Sequence, residues 1–443
     1  MRQSWRGFSG FLTGLHPVRM VTLGYLSYIV AGWLLLSLPF SHALSAVSPL
    51  DALFTATSAV STTGLATVST GNNYNLLGQI IIMVLIQLGG IGYMTFGSFV
   101  VLAGTGTLSE RRKDIGTTVF SMPPAFKIDK FIRSVVKFTA LVEGLGAAAL
   151  FVAFMRAGLP NPLWSSIFHS VSAFCTAGFS LYDSNFEQLR GDFWINVILA
   201  VESYLGAMGF IVMVDVWRRI IAKTDRITLT SRIIIVTTAW VSGIALVLFF
   251  LGEPTIQQFP AHERLLASFF QVMAAMTTVG FNTIPIGALS RASLFLLTML
   301  MVIGASPSGT GGGLKTTTFT AIFGVMKSVL LGREQVTFWG KTIPQGRVWL
   351  AVATLGFYTV ALTFGSYLLS LTDPFDFEAL FFEAASALGT VGLSTGITAQ
   401  LSALGKFLVT TLMFLGRVGP LAFGLALSFP SRIHGVTEED LVI

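Results

Sequence analysis

The 443-residue sequence predicts an all-α membrane protein with eight spanning helices, built from four tandem repeats of helix, half-helix, loop and helix. Two compositional facts point to a membrane: 53% of the residues are hydrophobic, and 11% are charged, against roughly 25% in soluble globular proteins. The third observation is a Thr-x-Gly motif that recurs four times between long apolar stretches. Together these observations predict a pseudo-fourfold arrangement of the repeats.

Eight apolar stretches reach or approach the roughly 20 residues that a helix needs to cross a bilayer core of about 30 Å. They are 18–40, 76–103, 131–157, 193–217, 230–252, 292–331 (interrupted), 347–371 and 406–429. A shorter apolar segment lies between the members of each pair, at 51–62, 165–176, 267–278 and 379–390. As helices these segments reach only about 16 Å, so they are re-entrant half-helices or buried helices of the soluble type.

Basic residues are concentrated in three loops, at 104–133, 218–232 and 327–347. Because cytoplasmic loops carry an excess of Lys and Arg, these loops and both termini are predicted to be cytoplasmic. The opposite side is comparatively acidic, with Asp183 and Asp373 among its residues, and would attract cations. The apolar run after Val18 has no cleavage-site pattern before it and is expected to remain as the first span.

Each short segment ends in Thr-x-Gly followed by an apolar residue. The four motifs are Thr62-Thr63-Gly64-Leu65, Thr176-Ala177-Gly178-Phe179, Thr278-Val279-Gly280-Phe281 and Thr390-Val391-Gly392-Leu393. One such motif would mean little, because Thr and Gly are common in packed membrane helices. These four also share a Phe ten residues and an Ala five residues before the glycine: Phe54, Phe168, Phe270 and Phe382, with Ala59, Ala173, Ala275 and Ala387. The shared register indicates one unit repeated at 1–103, 104–217, 218–331 and 332–443.

The helix that follows each motif contains a further glycine. The pairs are Leu88-Gly89, Leu205-Gly206, Ile303-Gly304 and Leu415-Gly416, and three continue to Gly92, Gly209 and Gly419. Small residues at this spacing are predicted to let helix backbones approach closely.

The repeated loop suits an ion filter around a central pore. A K⁺ ion leaves water only if carbonyl oxygens replace its hydration shell, and four loops around an axis supply rings of them. Glycine permits the backbone angles that this requires, and threonine adds a hydroxyl acceptor. The partly negative C-terminal ends of the half-helices favour a cation. All four motifs are therefore predicted to be filter loops that bind K⁺.

These loops resemble those of the Trk/Ktr/HKT superfamily of K⁺ transporters, most closely its Ktr B subunits, from about Val18 to Ile443. Plant HKT transporters that prefer Na⁺ have Ser where this chain has Gly64. The resemblance implies K⁺ uptake across a bacterial plasma membrane by a homodimer. It also implies a cytoplasmic ring of KtrA-like, nucleotide-binding regulatory subunits. It leaves Na⁺ coupling open, and no cofactor within this chain is expected.

The run 292–331 is interrupted by a polar, glycine-rich segment from Gly304 to Thr318. Irregular backbone at membrane depth is tolerated only where it lines a cavity or is buried in protein. This predicts a gate under the filter, which the resemblance to Ktr and Trk proteins supports. Its residues are predicted to be Gly304, Ser306, Pro307, Gly309, Thr310, Gly311, Gly312, Gly313 and Lys315, with Arg417 from the eighth span. Arg417 either holds this loop or sets a barrier below the filter, or it is a structural tie to a loop carbonyl or Glu202.

Other interpretations fit less well. The segment Gly309 to Thr316 nearly matches a phosphate-binding loop, but Leu314 occupies the second glycine position. An enzyme is not expected, because no nucleophile–base pair is identifiable, and nothing indicates a nucleic-acid partner. A secondary transporter for Na⁺ or another small solute remains the alternative, although such proteins commonly have inverted repeats. The polar residues Thr55, His169, Gln271 and Glu383, at one register position, either support the filter or satisfy local hydrogen bonds.

Overall fold

The computed structural model describes residues 17–43, 45–92, 128–222 and 227–419. Predictions for both chain ends, for the second half of the span 76–103 and for most of the loop 104–133 lie outside these residues. The helices are α1 (Pro17–Ser37), α2 (Pro49–Ser61), α3 (Thr70–Asn73), α4 (Leu76–Ile91), α5 (Ile128–Arg156), α6 (Pro162–Phe174), α7 (Phe193–Met208), α8 (Phe210–Ala222), α9 (Leu229–Gly252), α10 (Ala261–Thr277), α11 (Arg291–Ile303), α12 (Thr316–Leu330), α13 (Gln345–Thr372), α14 (Phe377–Leu388) and α15 (Ala403–Val418). Two short strands, β1 (Thr337–Phe338) and β2 (Lys341–Thr342), form an antiparallel hairpin.

Four of the described helices, α1, α5, α9 and α13, are long and apolar enough to cross a membrane. The bent pair α7 and α8 could form a fifth span. Large apolar side chains project outward from these helices; Leu34 of α1 is 57% exposed and Trp240 of α9 is 68% exposed. Such surfaces are unfavourable in water and suit lipid.

The short helices α2, α6, α10 and α14 lie at the centre of the molecule. They match the predicted half-helices, and the phenylalanine that each carries ten residues before its loop glycine is almost fully buried. Pro49 and Pro162 occupy the first positions of α2 and α6. The backbone N–H of a residue at this position has no acceptor within the helix, so proline loses no hydrogen bond there. The predicted half-helices are therefore present as helices of 12 to 17 residues.

The predicted span 193–217 is not a single helix, which corrects the sequence analysis. The helices α7 and α8 are bent by 99° at Gly209, whose φ is +86°. A residue in this conformation cannot continue a right-handed helix. The helices α4, α11 and α15 also end at glycines with positive φ: Gly92, Gly304 and Gly419.

The glycines one turn earlier permit the predicted close packing. A Cβ at Gly89, Gly206 or Gly416 would collide with the carbonyl oxygen of Val60, Phe174 or Leu388, respectively. Each of these oxygens lies at or near the C-terminal end of a half-helix. The second helix of three repeats is thus pressed directly against the end that leads into the Thr-x-Gly loop.

The first and last repeats are in contact. The half-helix α2 packs against both α4 of its own repeat and α15 of the fourth. Lys406 Nζ lies 2.8 Å from Asp51 Oδ1, in an ion pair whose two side chains are each 16% exposed. The packing and this ion pair join the two ends of the described chain.

Candidate ion filter and gate

The four Thr-x-Gly loops share an unusual backbone conformation. The threonines have left-handed φ values: 55° at Thr62, 51° at Thr176, 60° at Thr278 and 49° at Thr390. The glycines also have positive φ: 90° at Gly64, 66° at Gly178, 76° at Gly280 and 96° at Gly392. A left-handed conformation costs a β-branched residue about 1–2 kcal/mol, so its presence in all four loops reflects a requirement of the structure.

The loops lie in cyclic order around one centre. An added Cβ on each glycine would collide with the carbonyl oxygen of the residue before the glycine of the next loop. The pairs are Gly64 with Ala177, Gly178 with Val279, Gly280 with Val391, and Gly392 with Thr63. The series returns to the first loop, so four uncharged carbonyl groups lie side by side in a closed ring. Such oxygens can replace water around a dehydrated monovalent cation.

Three serines that sequence reasoning missed hold these loops in place. Ser58 Oγ accepts a hydrogen bond from the Gly64 N–H at 3.1 Å, and Ser386 Oγ accepts one from the Gly392 N–H at 3.0 Å. Ser172 Oγ donates to the Phe179 carbonyl at 2.8 Å. All three lie six residues before the loop glycine, where the third repeat has Ala274. The recurrence of serine at this register position was the signal that could have revealed them.

If the loops bind K⁺ as the sequence predicts, replacing Ser386 with alanine should weaken that binding a few-fold without unfolding the protein. The change removes one hydrogen bond to the loop backbone, worth about 1 kcal/mol, and Ala274 shows that a loop can form without the hydroxyl. The measurement is the half-saturating concentration for Rb⁺ uptake into liposomes. Ser268→Ala is the matched control, because the hydrogen bond that this buried half-helix serine makes within the described residues is to its own helix, at Arg264 O. Equal effects of both variants would contradict a specific role for Ser386.

Three of the four polar residues at the shared half-helix position bond to the segment that follows the Thr-x-Gly loop. His169 Nε2 contacts Ser180 Oγ at 3.0 Å, Gln271 Oε1 accepts from the Thr283 N–H at 2.9 Å, and Glu383 Oε1 accepts from Thr398. Thr55 instead donates to Asp51 O within its own helix. Hydrogen bonds are thus made at all four positions, and support of the filter by these residues stays a prediction.

The glycine-rich segment between α11 and α12 lies directly against the threonines that begin the four loops. Thr310 O lies 3.3 Å from Thr62 Oγ1, and Thr310 Oγ1 lies 3.1 Å from Thr176 Oγ1. Two residues further along, the Gly312 N–H donates to Thr278 Oγ1 at 3.1 Å, and Gly312 also packs against Thr390 Oγ1. One segment thus contacts the threonine of every loop.

Other residues predicted for the gate hold this segment in its fold. Gly304 and Gly313 pack against each other, and both have positive φ. Ser306 Oγ lies 3.1 Å from Thr316 Oγ1, while Lys315 Nζ donates to the Gly311 carbonyl. Pro307 O and Gly309 N lie against Gly209 at the break between α7 and α8.

Arg417 of α15 joins this segment to the first Thr-x-Gly loop. Its Nη1 donates to Thr62 Oγ1 at 3.0 Å and to the Thr310 carbonyl, and its Nη2 donates to the Gly89 carbonyl. These bonds tie Arg417 to a loop carbonyl, and its role in a gate stays a prediction. Glu202, the other suggested partner, accepts from Ser170 instead.

Lys315 and Arg417 place two positive side chains close to the inner end of the loops. The part of the chain that the structure describes contains no group of three or more His, Cys, Asp or Glu residues suited to a metal ion. A cation at this site would therefore meet neutral oxygens within the ring and positive charge beneath it. This arrangement favours selective passage of a monovalent cation together with a means of blocking it.

Membrane helices around a ring of backbone carbonyl groups are typical of cation-conducting membrane proteins. The chain belongs to the TrkH family of cation transport proteins, whose match covers residues 25–432. It is therefore a multi-pass membrane protein.

Several characterised proteins are similar over most of their length. The chain is 32% identical to Ktr system potassium uptake protein B of Vibrio alginolyticus, covering 96% of this chain and 94% of that protein. It is 34% identical to the potassium/sodium uptake protein NtpJ of Enterococcus hirae, covering 91% of each. The crystal structure of the potassium transporter TrkH from Vibrio parahaemolyticus matches with a TM-score of 0.68 at 21% identity, over 91% of this chain and 84% of that one. The structural match shows a shared fold.

Proposed function

We propose that this protein is a K⁺ uptake transporter of the bacterial plasma membrane, with channel-like movement of K⁺ through the ring of four loops. The closed ring of carbonyl groups beside Gly64, Gly178, Gly280 and Gly392 carries the proposal. Supporting it, two relatives are named as potassium uptake proteins of Ktr systems. The sixteen loop residues form the filter, and the ion is the substrate.

The proposed architecture has eight spans around a pseudo-fourfold pore, with one repeat in each of 1–103, 104–217, 218–331 and 332–443. Both termini lie in the cytoplasm, as the distribution of basic residues favours. Within the described residues, α4 and α15 are shorter than a full crossing. The rest of the predicted spans 76–103 and 406–429 lies outside the described residues.

The segment 304–315, defined here as the gate loop, is proposed to close the pore from the cytoplasmic side. Its contacts with all four filter threonines support this role. Lys315 and Arg417 add charge repulsion to the steric block, because like charges at short range in a medium of low dielectric oppose the entry of a cation.

The name of the Ktr relatives supports a membrane subunit that works within a larger system. We expect a homodimer in the lipid bilayer, regulated by a cytoplasmic ring of KtrA-like, nucleotide-binding subunits. The name of the Enterococcus hirae relative makes Na⁺ the second candidate ion, either as a coupled ion or as a substrate.

Ion flux into liposomes containing the purified protein tests this function directly. We expect K⁺ and Rb⁺ to enter faster than Na⁺, because the ring offers closely spaced carbonyl oxygens without a fixed negative charge. Empty liposomes give the background, and flux with and without Na⁺ outside tests for coupling. Uptake of Na⁺ alone, or of none of the three ions even after removal of the gate loop, would overturn the proposal.

A further inference from the structure

The gate loop is bonded to the break between α7 and α8 by three backbone hydrogen bonds. With the donor first, they are Ser306 N to Ala207 O at 3.0 Å, Thr310 N to Gly206 O at 3.1 Å, and Phe210 N to Ser308 O at 3.1 Å. Carbonyl groups in the last turn of a helix have no partner within it, and the first N–H of the next helix lacks one too. At the break, the carbonyl groups of Gly206 and Ala207 and the N–H of Phe210 are therefore free of helix bonds and pair with the backbone of the gate loop.

Close approach at this break depends on glycine. A Cβ on Gly209 would collide with the Pro307 carbonyl oxygen, and one on Gly206 would come within 2.9 Å of Thr310 Oγ1. Gly209 also has a φ of +86°, which residues with a side chain rarely adopt. The same residue thus sets the 99° bend and the contact with the gate loop.

The two halves of the gate loop have different anchors. The second half is bonded to the residues around its own helix end: Ala305 N to Gly312 O, Leu314 N to Val302 O, and Thr316 N to Ala305 O, each at 3.0 Å. Among the described residues, the backbone-to-backbone hydrogen bonds from 306–310 to another repeat go to the α7–α8 break, while the Thr310 carbonyl also accepts from the side chains of Arg417 and Thr62. This first half contains Thr310, which touches the filter threonines Thr62 and Thr176.

The helix α8 extends from this contact to a second anchor. Asp215 Oδ2 accepts hydrogen bonds from Ser231 Oγ at 2.6 Å and from the Thr228 N–H at 3.3 Å, at the start of α9. Asp215 is buried, whereas Trp217 and Ile220 on the following turn are exposed. The helix therefore connects the first half of the gate loop to the side of the molecule where the basic loop 218–232 lies.

We propose that α8 is the lever that opens the gate loop. In this inference, which rests on the proposed gate function, rotation of α8 about Gly209 breaks the three backbone bonds and withdraws Thr310 from the filter. The bonds from Asp215 to Thr228 and Ser231 hold α8 in the closed position. A partner that moved the cytoplasmic end of α8 would then displace the gate loop without contacting that loop itself.

Two variants test the lever at its two ends. Gly209→Ala disrupts the contact with the gate loop, and Asp215→Ala releases α8 from α9 while touching neither the filter nor the gate loop. We expect each to raise Rb⁺ flux of the partner-free protein about fivefold, the population shift that follows from losing one or two hydrogen bonds. The matched controls are Gly158→Ala, which has a positive φ with no neighbour within 4 Å, and Asp215→Asn, which keeps an acceptor oxygen. Gly158→Ala should leave flux unchanged, and Asp215→Asn should raise it less than Asp215→Ala, because a neutral amide oxygen still accepts hydrogen bonds from Thr228 and Ser231 but more weakly than the carboxylate.

A second measurement separates gate movement from a general loss of structure. In an S308C background, labelling by a membrane-impermeant thiol reagent should speed up in both lever variants, while the buried Cys175 stays unlabelled. Unchanged flux and labelling, combined with high flux when Gly309–Gly313 is deleted, would overturn the lever and leave the gate intact. If that deletion also has no effect, the gate assignment itself fails. Labelling of Cys175 would show unfolding and would likewise overturn the lever as the cause of any higher flux.

Discussion

Deleting Gly309–Gly313 should raise the Rb⁺ flux of the partner-free protein about tenfold or more. The deletion removes Thr310 and Gly312, whose atoms contact the threonines of all four loops. Lowering the barrier by only about 1.4 kcal/mol gives a tenfold increase in rate, and clearing a steric block should exceed that. The measurement is uptake into liposomes, normalised to the amount of inserted protein.

Smaller changes should reproduce parts of this effect. Lys315→Ala removes one charge and its bond to Gly311 while leaving the block in place, so we expect a smaller increase. Arg417→Ala removes the hydrogen bonds to Thr62, Thr310 and Gly89 and should fall between the two. Unchanged flux in a folded deletion variant would make the segment a structural linker rather than a gate.

Replacing Gly64 with serine should reduce the preference for K⁺ over Na⁺ about tenfold while the protein remains folded. The new Cβ would collide with the Ala177 carbonyl oxygen, so this member of the ring must move. A displaced carbonyl changes the oxygen spacing on which replacement of the K⁺ hydration shell depends. The measurement is the ratio of Rb⁺ to Na⁺ uptake under identical gradients.

Gly396→Ser is the control for this variant. Gly396 has a φ of +99°, close to the +90° of Gly64, but no atom lies within 4 Å of its added Cβ. Both variants therefore carry the backbone strain of a side chain at positive φ, about 1–2 kcal/mol, and only Gly64→Ser also displaces a carbonyl. Equal loss of selectivity in both would place the cause in strain and would contradict the filter assignment.

The sequence predicted the half-helices and their loops because the constraints on them are local. A left-handed threonine, a glycine two residues later and buried Phe and Ala on the preceding turns must all occur at fixed spacing. Four copies made that spacing visible. The same register would also have revealed Ser58, Ser172 and Ser386, had serine at that position been compared across the repeats.

The bend at Gly209 could not be predicted from hydrophobicity, because the apolar pattern continues through 193–217. The break forms through hydrogen bonds to Ser306, Ser308 and Thr310, about one hundred residues further along the chain. The partners of Arg417 are similarly remote, since Thr62 is 355 positions away. Contacts over such separations leave no local signal in a single sequence.

Joining the four loops in one polypeptide permits an arrangement that a ring of identical subunits could not form. Thr310 and Gly312 from a single segment occupy the space beneath all four threonines, and four symmetric copies of that segment would compete for it. Four repeats of different sequence in one chain allow the third repeat alone to carry this segment beneath the threonines. They also let substitutions alter one quarter of the ring at a time, as the side chains of Thr63, Ala177, Val279 and Val391 illustrate.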